Sequence, residues 1–162
     1  MEARLKFYET DIGKQYYKHM VANETMLRQG PLPGSTLELV KIRASQINGC
    51  GYCTDMHTKD AAQAGETAER LNLVAVWWEA PCFTEAERAA LALAEEATRI
   101  ADDSRGVSDA VWDEVRKHYD GEQTAALVAA VAQINAWNRI GVTLRNPAGS
   151  YKPAAAKAKS AD

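Results

Sequence analysis

Apolar side chains recur at helical spacing along most of the chain, and no segment alternates as a half-buried strand would. From residue 11 to about residue 28 the apolar positions are Ile12, Tyr16, Met20, Met26 and Leu27. The pattern stops at GPLPG, a cluster of glycine and proline that breaks helices. The sequence therefore predicts a first helix over 11–28.

Helix-start and helix-stop residues divide the rest of the chain. Ser35 with Glu38 predicts a capping box for a helix over 36–47, which breaks at Asn48-Gly49. The next helix is predicted over 50–64, ending before Gly65. A further helix is predicted over 67–78, and another begins after a capping box of Thr84 and Glu87. Two more are predicted, one from the cap Ser108 to Asp120-Gly121 and the last over 122–144. The last is apolar all round, which is typical of a buried or interface helix.

The predicted fold is all-α, a single-domain helical bundle over 1–146 with a loosely ordered alanine-lysine tail over 147–162. The 162 residues are 46% hydrophobic and 25% charged, as in ordinary globular domains. A net charge of -3 with interspersed signs argues against nucleic acid as a partner. The charged N-terminus and the lack of a long apolar stretch predict a cytoplasmic protein without a membrane partner.

The stretch GCGYCTDMH over 49–57 is the strongest candidate site. Cys50 and Cys53 open a predicted helix, where sulfurs three residues apart are within disulfide reach and the first-turn N–H groups favour thiolate. The thioredoxin interpretation requires strands that this chain does not predict. Three interpretations stay open: a redox dithiol, part of a zinc site with His57, or two small packed residues.

His57 follows Cys53 by one helical turn, so its imidazole can reach that thiol and act as a base. Position alone favours Cys50 as nucleophile because it is nearest the helix start, whereas the histidine favours Cys53, with Cys50 as the resolving cysteine. A hairpin at Asn48-Gly49 would bring Glu38 level with His57, which makes a Glu38–His57–Cys53 proton relay feasible. Glu38 could instead do no more than cap its helix with Ser35, and His57 could be an exposed residue.

The stretch ELVKIRASQINGCGYCTDMHTKDA resembles the core motif of the alkylhydroperoxidase-D-like (AhpD-like) proteins of the carboxymuconolactone decarboxylase superfamily. Its specific feature is the spacing of four residues. Cys50 lies twelve residues after Glu38, Cys53 lies three residues after Cys50, and His57 lies four residues after Cys53. The stretches PCFTEAERAALALAEEATRI and AQINAWNRIGV are also similar to that family, so the likeness covers about residues 10–145.

The resemblance implies an all-helical trimer or hexamer that reduces organic hydroperoxides with its dithiol, without a bound cofactor or metal. It assigns Cys53 as peroxidatic, Cys50 as resolving, and Glu38 and His57 as the proton relay. A dithiol of the dihydrolipoamide type or a small redox protein would regenerate the pair. The decarboxylase branch does not rely on a CxxC motif, so lactone decarboxylation is the weaker expectation.

Tyr52 departs from the family pattern, because peroxidases of the family carry histidine immediately before the second cysteine. Its hydroxyl is a candidate substitute in the relay. The alternative to a peroxidase is a thiol-disulfide exchange or redox-sensing protein. We interpret the four tryptophans as core and interface residues rather than as residues that bind a ligand. They are Trp77, Trp78, Trp112 and Trp137.

Overall fold

The structure, a computed structural model, describes residues 2–103 and 105–153. These residues form helices and no strand, which confirms the all-α prediction. The α-helices are α1 (Asp11–Arg28), α2 (Gly34–Ile47), α3 (Gly51–Gln63), α4 (Ala68–Leu73), α5 (Glu85–Thr98), α6 (Asp109–His118) and α7 (Gly121–Leu144). None of the helices within the described ranges combines the length and apolar character needed to cross a bilayer.

Most helices begin where the sequence predicts, because a polar side chain caps the first free N–H groups. Thr84 and Glu87 form the predicted capping box of α5, and Ser108 caps α6 as predicted. Asp120 is not the end of α6; together with Gln123 it makes a capping box for α7. The predicted helix over 67–78 is shorter, because α4 ends at Leu73 and a 3-10 turn, Val74–Val76, follows it.

The predicted Ser35–Glu38 capping box is wrong. Helix α2 begins at Gly34 behind Pro33, and no side chain caps its first turn. The carboxylate of Glu38 instead turns toward α1 and α3, where Arg28 and His57 approach it. These partners on neighbouring helices therefore outcompete the local cap.

Helix α2 lies at the centre of the bundle, with every residue from 36 to 45 buried. One apolar cluster includes Leu37 and Val40 of α2 with Leu93 of α5 and Leu127 of α7. A second cluster contains Leu39 and other residues that pack beside α3 and α4. Such a position explains why α2 must also bury Lys41 and Arg43, which pair with carboxylates on neighbouring helices.

The first residues after α7 fold back onto α3. Asp55 accepts a hydrogen bond from the Gly149 amide at 3.0 Å, and Lys59 donates to the Tyr151 carbonyl at 3.0 Å. The Tyr151 hydroxyl donates to Asp60 at 2.8 Å. In the predicted loose tail over 147–162, residues 147–151 thus form a segment that is hydrogen-bonded to α3, which we call the strap. Residues 154–162 of the predicted tail lie outside the described residues.

Candidate active site around the dithiol

The two motif cysteines sit at the junction of α2 and α3 and are joined by a disulfide. The chain turns at Gly49, whose positive φ of 66° suits glycine, and Cys50 then becomes the N-cap of α3. The Cys50 sulfur accepts a hydrogen bond from the Cys53 amide at 3.3 Å. Both cysteines are nearly buried, at 2% and 4% exposure. Their place in the first turn of a helix is the one that the sequence predicts.

A network of side-chain amides holds this turn against α7. Asn48 donates to the side-chain oxygens of Asn135 and Asn138, each at 2.9 Å. Asn138, which is fully buried, donates to the Ser45 hydroxyl at 3.0 Å. The Ser45 carbonyl in turn accepts from the Cys50 amide at 2.9 Å. The backbone around Cys50 is therefore fixed by residues far along the chain.

Gly141 of α7 packs directly against the sulfurs. A Cβ atom added at this position would lie 2.9 Å from the Cys50 sulfur and 3.5 Å from the Cys53 sulfur. The first distance is shorter than carbon and sulfur can adopt without a shift. Glycine at 141 thus lets the disulfide approach the helix backbone.

His57 and Glu38 form a buried pair next to the dithiol. The His57 Nδ1 atom lies 2.7 Å from the Glu38 Oε2 atom, and His57 is only 2% exposed. The Nε2 atom of the same ring is buried with no hydrogen-bond partner among the described residues. With Nδ1 donating to the carboxylate, Nε2 is the nitrogen that can accept a proton.

Glu38 stays ionised although it is largely buried. Burial is the largest influence and would raise the pKa of its carboxyl. The hydrogen bond from His57 and the charges of His57, Lys41 and Arg28 together outweigh burial, so the pKa lies below its ordinary value. The Arg28 guanidinium reaches Glu38 Oε1 at 3.3 Å. No sequence pattern indicates Arg28, because its contact with Glu38 depends on how α1 packs beside α2.

A cavity of about 460 Å³ opens onto Cys53 and His57. Cys50 is not part of its wall, so a molecule in the cavity would meet Cys53 first. Tyr52 does line the cavity, and burial, followed by nearby Tyr17 and two aspartates, raises the pKa of its phenol. Trp137 also lines it rather than serving only as core or interface mass. Residues of α1, α3, α7 and the strap complete the wall.

The proposed zinc set is not assembled in this structure. Cys50 and Cys53 are bonded to each other, and the His57 Nδ1 atom faces Glu38. Across residues 2–103 and 105–153 no group of three or more His, Cys, Asp or Glu side chains is arranged to hold a metal ion. The four residues predicted from the motif nevertheless lie together at the junction of α2 and α3; they are Glu38, Cys50, Cys53 and His57.

Comparison with known proteins gives the same family as the motif. The family model described as the carboxymuconolactone decarboxylase family matches residues 14–96. The chain is 42% identical over 150 residues to the uncharacterized protein YdfG of Bacillus subtilis (strain 168), a match that covers 93% of this chain and 99% of the relative.

Solved structures share the fold. ATU0492 from Agrobacterium tumefaciens, a protein of unknown function whose name suggests an antioxidant defence protein AhpD, is similar with a TM-score of 0.86 and 32% identity, over 93% of this chain and 100% of that one. The debrominase Bmp8 has a TM-score of 0.71 at 19% identity, over 82% of this chain and 70% of that one. These matches, with the motif and its geometry, show that the chain has the AhpD-like fold and belongs to the carboxymuconolactone decarboxylase family.

Proposed function

We propose that the protein is a thiol-dependent peroxidase that reduces organic hydroperoxides with the Cys50–Cys53 dithiol. The observation that carries this proposal is the cavity, in which Cys53 stands beside a histidine whose Nδ1 is held by a carboxylate. A nucleophile, a base and a group that orients the base are the parts that covalent catalysis by a thiol requires. The family relationship and the antioxidant-defence name of one relative agree with this assignment.

The reaction starts from the reduced dithiol. The Cys53 thiolate attacks the terminal oxygen of the hydroperoxide, so an S–O bond forms, the O–O bond breaks, and the alcohol leaves with a proton. The Cys50 thiol then attacks the sulfenic sulfur of Cys53, and the disulfide forms as water departs. The peroxide gains two electrons, and the dithiol loses two.

His57 and Glu38 would supply the proton transfers in these steps. The free Nε2 atom would take the thiol proton of Cys53 and return it to the departing alkoxide, which makes the imidazole base and then acid. Glu38 would stabilise the imidazolium while it exists, since its carboxylate is ionised and 2.7 Å from Nδ1. The support for Cys53 as nucleophile is its place in the cavity wall, from which Cys50 is absent.

An external dithiol must reduce the disulfide again, and access restricts its shape. Both sulfurs are nearly buried, so a broad protein surface would not reach them directly. A dithiol on a slender flexible arm, such as dihydrolipoamide, can enter the cavity and attack Cys53 to form a mixed disulfide. A small redox protein would need such an extension, and we therefore favour the lipoyl-type reductant.

The test is dithiol-dependent consumption of an organic hydroperoxide by the purified protein. Cys53→Ser should abolish turnover, and Cys50→Ser should slow it strongly, because only the external dithiol could then reduce the Cys53 sulfenic acid. Cys82→Ser is the matched control, because Cys82 is a free cysteine outside the cavity and should keep full activity. Normal turnover by Cys53→Ser would refute the proposal. A parent protein whose disulfide cycles without peroxide turnover would instead be a thiol-disulfide exchange or sensing protein.

We also propose that the chain forms a homo-oligomer, a trimer or a hexamer. Helix α1 leaves large apolar side chains in solvent, among them Ile12 at 70% and Met26 at 58% exposure. Val128 and Val142 of α7 are also exposed, whereas the opposite face of that helix is buried within the bundle. Burying such residues against another copy would remove apolar surface from water. Light scattering after size-exclusion chromatography should give a multiple of the 17.7 kDa chain mass.

A further inference from the structure

The cavity beside Cys53 is much larger than a small peroxide requires. Its volume of about 460 Å³ falls within the range of roughly 300–1,000 Å³ typical of sites for whole organic molecules. A water molecule occupies only about 30 Å³ of liquid volume, and hydrogen peroxide is not far larger. Most of the space therefore serves a part of the ligand that does not react.

Five of the residues that line this space carry aromatic rings. Tyr17 and Trp137 meet edge to face with ring centroids 5.9 Å apart, and Tyr8 lies against Tyr17 at 5.2 Å. Tyr52 and Tyr151 add two further rings. Rings packed at such angles present both faces and edges, which are the surfaces that attract another aromatic ring.

A buried ion pair fixes the Trp137 ring in place. The indole Nε1 donates to Glu24 Oε1 at 3.2 Å, and the other oxygen of Glu24 binds the amine of Lys41. Lys41 is fully buried, so this pair cannot reorganise without leaving a charge unpaired in the interior. The ring is thus held rigidly, and a rigid wall costs little ordering when a ligand binds.

Two of the charged groups in the cavity wall, Glu24 and Asp60, are already paired. Lys41 neutralises Glu24, and Asp60 accepts the hydroxyl of Tyr151 at 2.8 Å, where burial and then Asp60 raise the pKa of Tyr151 to about 12. The Nε2 atom of His57, beside Cys53, is buried without a hydrogen-bond partner among the described residues. One end of the cavity thus suits a reacting group, and the rest suits a ring.

We propose that the cavity selects hydroperoxides that carry an aromatic ring, with Trp137 and Tyr17 as the specificity-determining residues. This inference rests on the proposed peroxidase function, whose reacting end it leaves unchanged. The hydroperoxide group would face Cys53 and His57, and the aryl group would pack against Trp137 and Tyr17. Lys41 and Glu24 act as positioning residues for the indole.

Binding can be measured without any turnover. The probe is 2-phenyl-2-propanol, the alcohol that cumene hydroperoxide leaves, titrated calorimetrically into the oxidised protein beside 2-cyclohexyl-2-propanol and tert-butanol. The phenyl compound should bind several-fold more tightly than its cyclohexyl counterpart. Trp137→Leu should weaken phenyl binding by about tenfold, the size expected when an aromatic contact and its buried area are lost. Trp112→Leu is the control, since that ring is 42% exposed on α6.

Kinetic measurements then distinguish aromatic selectivity from the peroxidase function on which it rests. The ratio of kcat/KM for cumene hydroperoxide to kcat/KM for tert-butyl hydroperoxide should fall in Trp137→Leu and in Tyr17→Leu, and stay unchanged in Trp112→Leu. Tyr17→Leu keeps the test valid if Trp137→Leu fails to fold, because Tyr17 is 47% exposed. Phenyl binding without turnover of any hydroperoxide would overturn the peroxidase proposal alone. Turnover with equal binding of phenyl and cyclohexyl alcohols would overturn the aromatic selectivity alone.

Discussion

Helices α2 and α7 each have two contrasting halves. Their N-terminal halves contribute Leu37 and Leu127 to an apolar cluster of interlocking side chains, from which Glu38 of α2 turns away toward His57. Their C-terminal halves contribute Ser45 and Asn138 to a network of hydrogen bonds that borders the dithiol. The apolar half supplies stability from many interchangeable contacts, whereas the polar half specifies one arrangement of the reactive turn.

Truncating the apolar half should have the largest effect on stability. Leu127→Ala removes a fully buried side chain and should lower the free energy of unfolding by about 2–5 kcal/mol, because a cavity remains. Urea denaturation would measure the loss, while activity per folded molecule should not change. Val128→Ala, at the next position but 47% exposed, should lose far less. Equal losses at the two sites would contradict the packing described for this half.

Truncating the polar half should cost less stability but more activity. Asn138→Ala takes the side-chain donor from the buried Ser45 hydroxyl and leaves Asn48 with Asn135 as its one remaining acceptor, which should cost about 1–3 kcal/mol. The turn before Cys50 would no longer be held in one conformation against α7. Hydroperoxide consumption should therefore fall severalfold in protein that is still folded. Asn72→Ala, at an exposed position on α4, is the control for both measurements. Full activity in Asn138→Ala would show that the network supports the fold and not the dithiol.

Crowding the disulfide should change its redox equilibrium. Gly141→Ala forces a methyl group toward the Cys50 sulfur, which cannot rotate away while it is bonded to Cys53. The reduced form can relieve the contact, because its Cys50 side chain is free to rotate. The reduced form should therefore become more stable relative to the disulfide by about 1 kcal/mol, equivalent to about 20 mV in midpoint potential. Equilibration with thiol buffers would measure the shift. Gly121→Ala, at the open start of α7, should leave the potential unchanged.

The smallest predicted effect concerns the pH dependence of the reaction. Arg28 helps to keep the pKa of Glu38 low, so Arg28→Gln should raise that pKa and protonate the carboxylate at a higher pH. The acid limb of the kcat/KM profile should therefore move to higher pH by a small amount, since the guanidinium is half exposed. Arg28→Lys should restore most of the parent profile. A shift toward lower pH would contradict the role assigned to Arg28.

Sequence patterns predicted the helices well because caps and apolar spacing are local. Thr84 and Ser108 mark helix starts that the structure confirms, and the dithiol lies at the start of α3 as its position predicted. Glu38 shows the limit, since the same carboxylate fits a local cap and a distant imidazole, and packing decides between them. Asn135, Asn138 and Gly141 could not be recognised, because their partners lie across the bundle. The stretch AQINAWNRIGV marked their region by family likeness but not their contacts.

The amide network also bears on how the protein matures after synthesis. Asn48 is bonded to residues 87 and 90 positions later in the chain, so the turn before Cys50 acquires its shape only when α7 docks. Before α7 docks, neither the amide network nor the backbone at Gly141 is in place beside the two cysteines. The geometry around the disulfide therefore depends on contacts between parts of the chain that are far apart in sequence, and not on the CxxC segment alone.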